Sequence, residues 1–245
     1  MLELKGSPAG CAHRRGLGGC AHCLARPFSV CAAVPDEDLE RLDALAERVV
    51  LQPGEALIRE GDLARHVFNV TSGSVRVSRL LPDGRRYISG FLFAGDFIGL
   101  EPEETSRSTV EALEPATLCR FRKADYRALM TERPQLEAAL LERAGHELAA
   151  AHDQMLLLGR KTAIERLASF LLTLPQADPL RPLEPGQVRL PMTRTEIADY
   201  LGLTLETVSR SFSRLKRAGL VAQVSLSELR IERPGALRDL AEGAA

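Results

Sequence analysis

The sequence predicts an α+β chain built as an N-terminal antiparallel β-roll of jelly-roll type, a long helix, and a C-terminal winged helix-turn-helix. Three patterns predict it. Glycines punctuate short β-rich runs between Val49 and about Arg122, an unbroken helical stretch follows Pro134, and two short helices meet at Gly202. With 45% hydrophobic and 27% charged residues, the composition suits a soluble chain with apolar cores. No 18 uncharged apolar residues follow one another and Met1 to Gly10 holds no apolar secretory run, so a cytoplasmic protein without membrane segments is expected.

Residues 1–35 carry Gly, Pro and Cys without periodicity and read as an irregular arm, the first of four expected domains. From Pro35, Leu39, Leu42, Leu45 and Val49 recur at helical spacing behind Asp36-Glu37-Asp38, as in a short helix. The roll is expected over 36–133. Turns at Gly54, Gly61, Gly73, Gly84 and Gly95 lie about eleven residues apart, Asp83-Gly84 is a hairpin signal, and Val75 and Val77 alternate with Arg76 and Ser78.

A helix is expected over 134–160. Leu136, Leu140, Ala144, Leu148, Ala151, Met155 and Leu158 step along it by fours and threes, a narrow apolar seam beside Arg143 and Glu147. Such a seam predicts a parallel homodimer; a helix buried in its own core is the alternative.

The last domain is expected over 161–245. Thr162 and Glu165 form a capping box ahead of Ile164, Leu167, Ala168 and Leu171, and Pro175, Pro179, Pro182 and Pro185 mark 175–188 as a loop. Thr193 and Glu196 form a second capping box for a helix through Ile197, Ala198 and Leu201 that Gly202 ends. The next helix starts near Thr204, turns Val208, Phe212 and Leu215 inward, and stops at Ala218-Gly219. Leu220 to Val224 and Leu229 to Ile231 then read as the two strands of a wing.

Two short helices about a glycine turn make a helix-turn-helix, whose second helix enters the major groove of double-stranded DNA. Its outward residues would be Glu206, Ser209, Arg210 and Ser213. Arg can donate twice to guanine, Glu can accept from cytosine N4, and Ser can meet several partners. The net charge is −1, so phosphate contacts must come from a local patch. Arg189, Arg194, Arg210, Arg214, Lys216 and Arg217 outnumber Glu196, Asp199 and Glu206 there, with Arg214, Lys216 and Arg217 best placed for phosphates. The alternative is a solvated face carrying a Glu206–Arg210 pair one turn apart. No phosphate loop, flavin motif or catalytic triad is present, so no enzyme is expected.

Cys11, Cys20, Cys23 and Cys31 crowd the arm while Cys119 stands alone. In a reducing compartment such a group suits metal binding or redox sensing better than structural disulfides.

The order of roll, long helix and winged helix resembles the CRP/FNR family of bacterial regulators over nearly the whole chain. Gly95-Asp96-Phe97-Ile98-Gly99 resembles the roll's turn motif, and Glu206-Thr-Val-Ser209-Arg210 is similar to the recognition-helix pattern of the oxygen-responsive FNR branch. That resemblance implies that Glu206, Ser209 and Arg210 read TTGAT-type half-sites arranged as a palindrome, with RNA polymerase as partner. Cys20-x2-Cys23-x7-Cys31 with Cys119 resembles the branch's cysteine pattern. It implies a four-iron four-sulfur cluster on those four residues and oxygen control of DNA binding, leaving Cys11 as a spare thiol. Zinc held by cysteines with His13 or His22 is the alternative occupant. Cyclic AMP is not expected. Arg107-Ser108 matches the family's phosphate pair, but Leu100 stands where the nucleotide pattern has Glu, and Glu101 is out of register. The competing functions are a regulator of this fold that senses haem-bound gas, nitric oxide or thiol oxidation, and an iron-sulfur electron carrier.

Overall fold

The computed structural model describes residues 19–100, 103–174 and 183–243. Cys11, His13, Glu101 and three of the loop prolines lie outside them. The chain forms two compact units, one of residues up to 77 with 91–145, the other of residues 78–90 with 146 onward.

In the first unit, the described part of the arm, from residue 19 onward, is not irregular. It is a run of short 3-10 turns at Cys20–His22, Arg26–Phe28, Val30–Ala33 and Asp36–Asp38, leading into α1 (Leu39–Leu45). Arg26 supplies the order that periodicity could not show. Its guanidinium donates to the Cys31 carbonyl (3.4 Å), the Val34 carbonyl (2.9 Å) and Asp36 (2.8 Å). Ala25, Val30 and Val34 are buried as a result.

The roll comprises β1 (Glu47–Leu51), β2 (Ala56–Ile58), β3 (His66–Ser72), β4 (Ser74–Leu80), β5 (Arg86–Phe93), β6 (Phe97–Ile98), β7 (Thr109–Ala112) and β8 (Ala116–Arg122). They pair as two sheets, β1-β8-β3-β6 and β2-β7-β4-β5. Alternation sends successive side chains to opposite faces. On β8, Ala116 and Leu118 enter the core between the sheets, with Phe68, Val70, Val75 and Val110. Phe121 enters a second core on the other face, and Cys119 packs at that core's edge.

Helices build that second core. α2 (Lys123–Glu132) and α3 (Pro134–Arg160) follow β8, and Tyr126, Leu129, Leu136 and Leu140 close over Val67, Phe97 and Phe121 together with arm residues Val30 and Val34. The expected seam is therefore corrected at its start. Leu136 and Leu140 are 0% and 5% exposed within one chain, so they belong to its own core and have no surface left for a second copy. Further along α3 the apolar side chains are open: Leu141 is 73%, Leu148 59% and Met155 62% exposed. These three recur every seventh residue, with Ala144 and Ala151 between them and Leu158 after them, the spacing of a and d positions in a two-stranded coil.

The second unit holds α4 (Ala163–Thr173), β9 (Gln187–Arg189), α5 (Arg194–Leu201), α6 (Leu205–Arg217), β10 (Val221–Ser225), β11 (Glu228–Ile231) and α7 (Pro234–Ala241). The wing is a three-stranded sheet, β10-β11-β9, because β9 pairs with β11 through Leu229↔Val188. Arg86, on the β4–β5 hairpin in this unit, bonds Asp199 of α5 at 2.8 Å.

Candidate nucleic-acid interface and cysteine site

The helix-turn-helix is assembled from local chemistry. Thr193 accepts from the Glu196 amide at 3.2 Å while the Glu196 carboxylate accepts from the Thr193 amide at 2.6 Å, so α5 starts with its end groups satisfied. Gly202 ends it at φ 62°, a left-handed conformation that favours glycine. Thr204 then caps α6, accepting from the Thr207 amide at 3.2 Å. Ile197, Leu201, Val208 and Leu215 are all 0% exposed and lock the two helices together.

Two arginines complete the scaffold, and neither signals its role by local pattern. Arg166 donates to the carbonyls of Leu158, Lys161 and Leu201, each at 2.9 Å, tying the end of α3 to the end of α5. Arg194 lies over the Phe212 ring at 3.2 Å from its centroid. Burial lowers its pKa to about 10, which leaves it cationic at neutral pH and favours the contact with the ring face. Arg194 therefore braces α5 on α6.

With the core face inward, Glu206, Ser209, Arg210, Ser213 and Arg214 are exposed together. Ser209, Arg210, Ser213, Arg214 and Arg217 line one shallow depression. Arg210 donates to the Thr207 hydroxyl at 3.4 Å, and Ser213 donates to the Ser209 carbonyl at 3.0 Å, which leaves the serine oxygen as an acceptor. The Glu206 carboxyl is held below the usual carboxylate range by its own amide and the Thr204 hydroxyl, with Arg210 a smaller influence. It is anionic at neutral pH, the state that accepts from a base amino group. Lys216 bonds Gln223 on β10 at 2.6 Å, joining α6 to the wing.

In the first unit, none of Cys20, Cys23, Cys31 and Cys119 is in a disulfide. Cys20, Cys31 and Cys119 pack against the same apolar core, Cys20 with Sγ 3.5 Å from Asp43. Burial pushes the Cys31 thiol up to about 11, and the neighbouring Cys23 adds to the shift. His22 is exposed. Among the described residues no three His, Cys, Asp or Glu side chains converge as a metal-binding group. Cys119 sits on β8 opposite Arg48 of β1 and Asn69 of β3.

The Gly95-Asp96 turn lies between arm and helix. A Cβ on Gly95, whose φ is +100°, would stand 2.6 Å from the Phe28 carbonyl of the arm. Asp96 accepts from the Phe93 amide at 2.7 Å and from Arg143 of α3 at 2.6 Å. Gly95→Ala is expected to lower the thermal midpoint by several degrees, because backbone strain and the clash with Phe28 add at one position; thermal unfolding followed by circular dichroism checks it. On the roll, Ser108 is buried and Arg107 pairs with Glu103 at 3.2 Å.

A roll, a long helix and a winged helix-turn-helix with an exposed polar and cationic face define a DNA-binding regulator of transcription. Residues 165–240 match the model of the Crp-like helix-turn-helix domain, and residues 48–133 that of the cyclic nucleotide-binding domain. The nitrogen fixation regulation protein FixK of Bradyrhizobium diazoefficiens is 40% identical over 203 residues, 83% of this chain and 86% of that protein. The transcriptional activator protein FnrL of Cereibacter sphaeroides is 39% identical over 207 residues, 83% of this chain and 84% of its own. The solved structure of FixK2 from Bradyrhizobium japonicum matches with a TM-score of 0.73 at 36% identity, covering 80% of this chain and 96% of that one. The chain belongs to the CRP/FNR family of transcription regulators. No helix among the described residues is long and apolar enough to cross a membrane.

Proposed function

We propose that this regulator acts in the cytoplasm as an oxygen-responsive homodimer that reads palindromic TTGAT-type sites and works with RNA polymerase. Cys20, Cys23, Cys31 and Cys119 would hold a four-iron four-sulfur cluster. The observation that carries this reading is the gathering of Cys20, Cys31 and Cys119 against one core. The donor type fits: four thiols outside disulfides, three on the arm and one on β8. When bound, such a cluster supplies a covalent staple between arm and roll that oxygen can break.

The chain's own residues supply the rest. Arg26 holds the arm compact around Cys31, and Phe28 rests on Gly95. Next to it, Asp96 grips Arg143 on α3, so a shift of the arm is felt at the helix that carries the proposed dimer seam. Leu141, Leu148 and Met155 would pair across the twofold axis, and Arg166 fixes each helix-turn-helix to the end of its α3. Two half-sites must be engaged together for tight binding, so a modest change in pairing becomes a large change in occupancy.

Protein purified without oxygen is expected to carry about four iron and four sulfide per chain. Cys20→Ser, Cys23→Ser, Cys31→Ser and Cys119→Ser should each lose that content, while Cys11→Ser keeps it. Iron and sulfide assays with the absorption spectrum check this. Zinc in place of iron would select the mixed cysteine and histidine alternative, and a metal-free chain would leave thiol oxidation as the signal.

A further inference from the structure

Tyr126 presents chemistry that none of the roles above uses. It is 2% exposed, on α2, with its ring 5.6 Å from that of Phe97 and 5.2 Å from that of Phe121. Packing alone would be met by phenylalanine. The hydroxyl nevertheless lies buried and finds no hydrogen-bond partner among the described residues, an arrangement that costs stability unless something else present in the working protein accepts the bond.

What lies near it narrows the acceptor. Cys31 packs against the core that contains Tyr126. Cys20 and Cys119 pack at the edge of the core that contains Tyr126. Asn69 stands directly opposite Cys119 across β3 and β8 and opposite Phe97 across β3 and β6, and opposed residues share a face. Asn69 is also 2% exposed, and its Oδ1, an acceptor, is a second buried polar atom that finds no partner among the described residues. Among the described residues three buried side-chain polar atoms lack partners: one on Tyr126, in the core against which the cysteines pack, one on Asn69, opposite Cys119, and one on Arg194.

We infer that the Tyr126 hydroxyl donates a hydrogen bond to a sulfur atom of the cysteine-held cluster, making Tyr126 a positioning residue that sets the cluster's redox poise. The inference rests on the proposed cluster. A phenol is protonated at neutral pH and carries a single O–H, while thiolate and sulfide sulfur accept. Donors to sulfur stabilise the more negative, reduced state and raise the reduction potential. A phenylalanine at 126 would keep the aromatic packing and remove only this bond.

The test uses the full chain, assembled anaerobically as wild type and as Tyr126→Phe, with iron, sulfide and midpoint potential measured for both. The expected result is equal iron loading, a thermal midpoint of the cluster-free chain no lower than wild type, and a potential shifted downward. Resonance Raman should show iron–sulfur bands in the wild type that move in deuterium oxide and a smaller movement in the Phe variant. Equal potentials with equal deuterium sensitivity in the two loaded proteins overturn the inference and leave the cluster reading standing. A wild type without iron and sulfide overturns both. Uniform 3-fluorotyrosine, which keeps the shape and strengthens the donor, supplies a second arm: the potential should rise, and no rise overturns the inference whatever the fate of the Phe variant.

Discussion

Arg210→Ala is expected to weaken binding of the anaerobic dimer to a palindromic TTGAT duplex by roughly 30-fold to 10⁴-fold, since a bidentate arginine–guanine pair is worth about 1–3 kcal/mol and the dimer would lose two. Sequence preference should relax at the guanine position of both half-sites. Arg210 is exposed, donates a 3.4 Å bond to Thr207 and acts only weakly on Glu206, so the fold should not change. Arg214→Ala serves as the contrast. It would remove a phosphate contact, weakening all duplexes alike and lowering the salt dependence by about one unit per chain. Titrations against cognate and scrambled duplexes at several salt concentrations separate the two. Equal affinity of Arg210→Ala and wild type for the cognate duplex would end the base-reading assignment of α6.

The recognition element was legible because its determinants are local. Capping boxes at Thr162 and Thr193, the turn at Gly202, and the period of Val208, Phe212 and Leu215 each act within one or two helical turns. The roll was legible through its turns, since glycine punctuation reports where strands end without saying which strands pair. What escaped notice depends on partners distant in sequence. β9 is three residues inside a proline-marked stretch and is a strand only because β11 accepts it. The arm gains its turns from the bonds of Arg26, and α5 is braced by Arg194 over Phe212 and by Arg166 at its end. An arginine's partners lie beyond any short window. Spacing singles out the cysteines, but it does not show the core that Cys20, Cys31 and Cys119 share or the buried Tyr126, because both arise from packing across β3, β6, β8 and α2.

The long helix shows why periodicity finds a face and not its partner. An α-helix repeats every 3.6 residues and a coiled-coil seam every 3.5, so over 27 residues one apolar stripe can begin in the chain's own core and end on its surface. Leu136 and Leu148 lie on the same nominal stripe and are 0% and 59% exposed. They should fail in opposite ways. Leu136→Ala opens a cavity under α2 and is expected to lower the stability of each chain by about 2–5 kcal/mol while leaving the association of folded chains unchanged. Leu148→Glu costs the single chain little, because the side chain already meets solvent. In a dimer it sets two carboxylates in an apolar seam and removes two leucines each worth about 1.5–3 kcal/mol when buried, so the dimer constant should weaken at least about 100-fold. DNA affinity should fall with it, since two α6 helices separated by about one turn of duplex must be held together. Analytical ultracentrifugation with thermal unfolding distinguishes the two variants. A Leu148→Glu protein that stays dimeric at micromolar concentration would move the twofold axis off this seam, and a Leu136→Ala protein that unfolds normally but dissociates would return the seam to the start of α3.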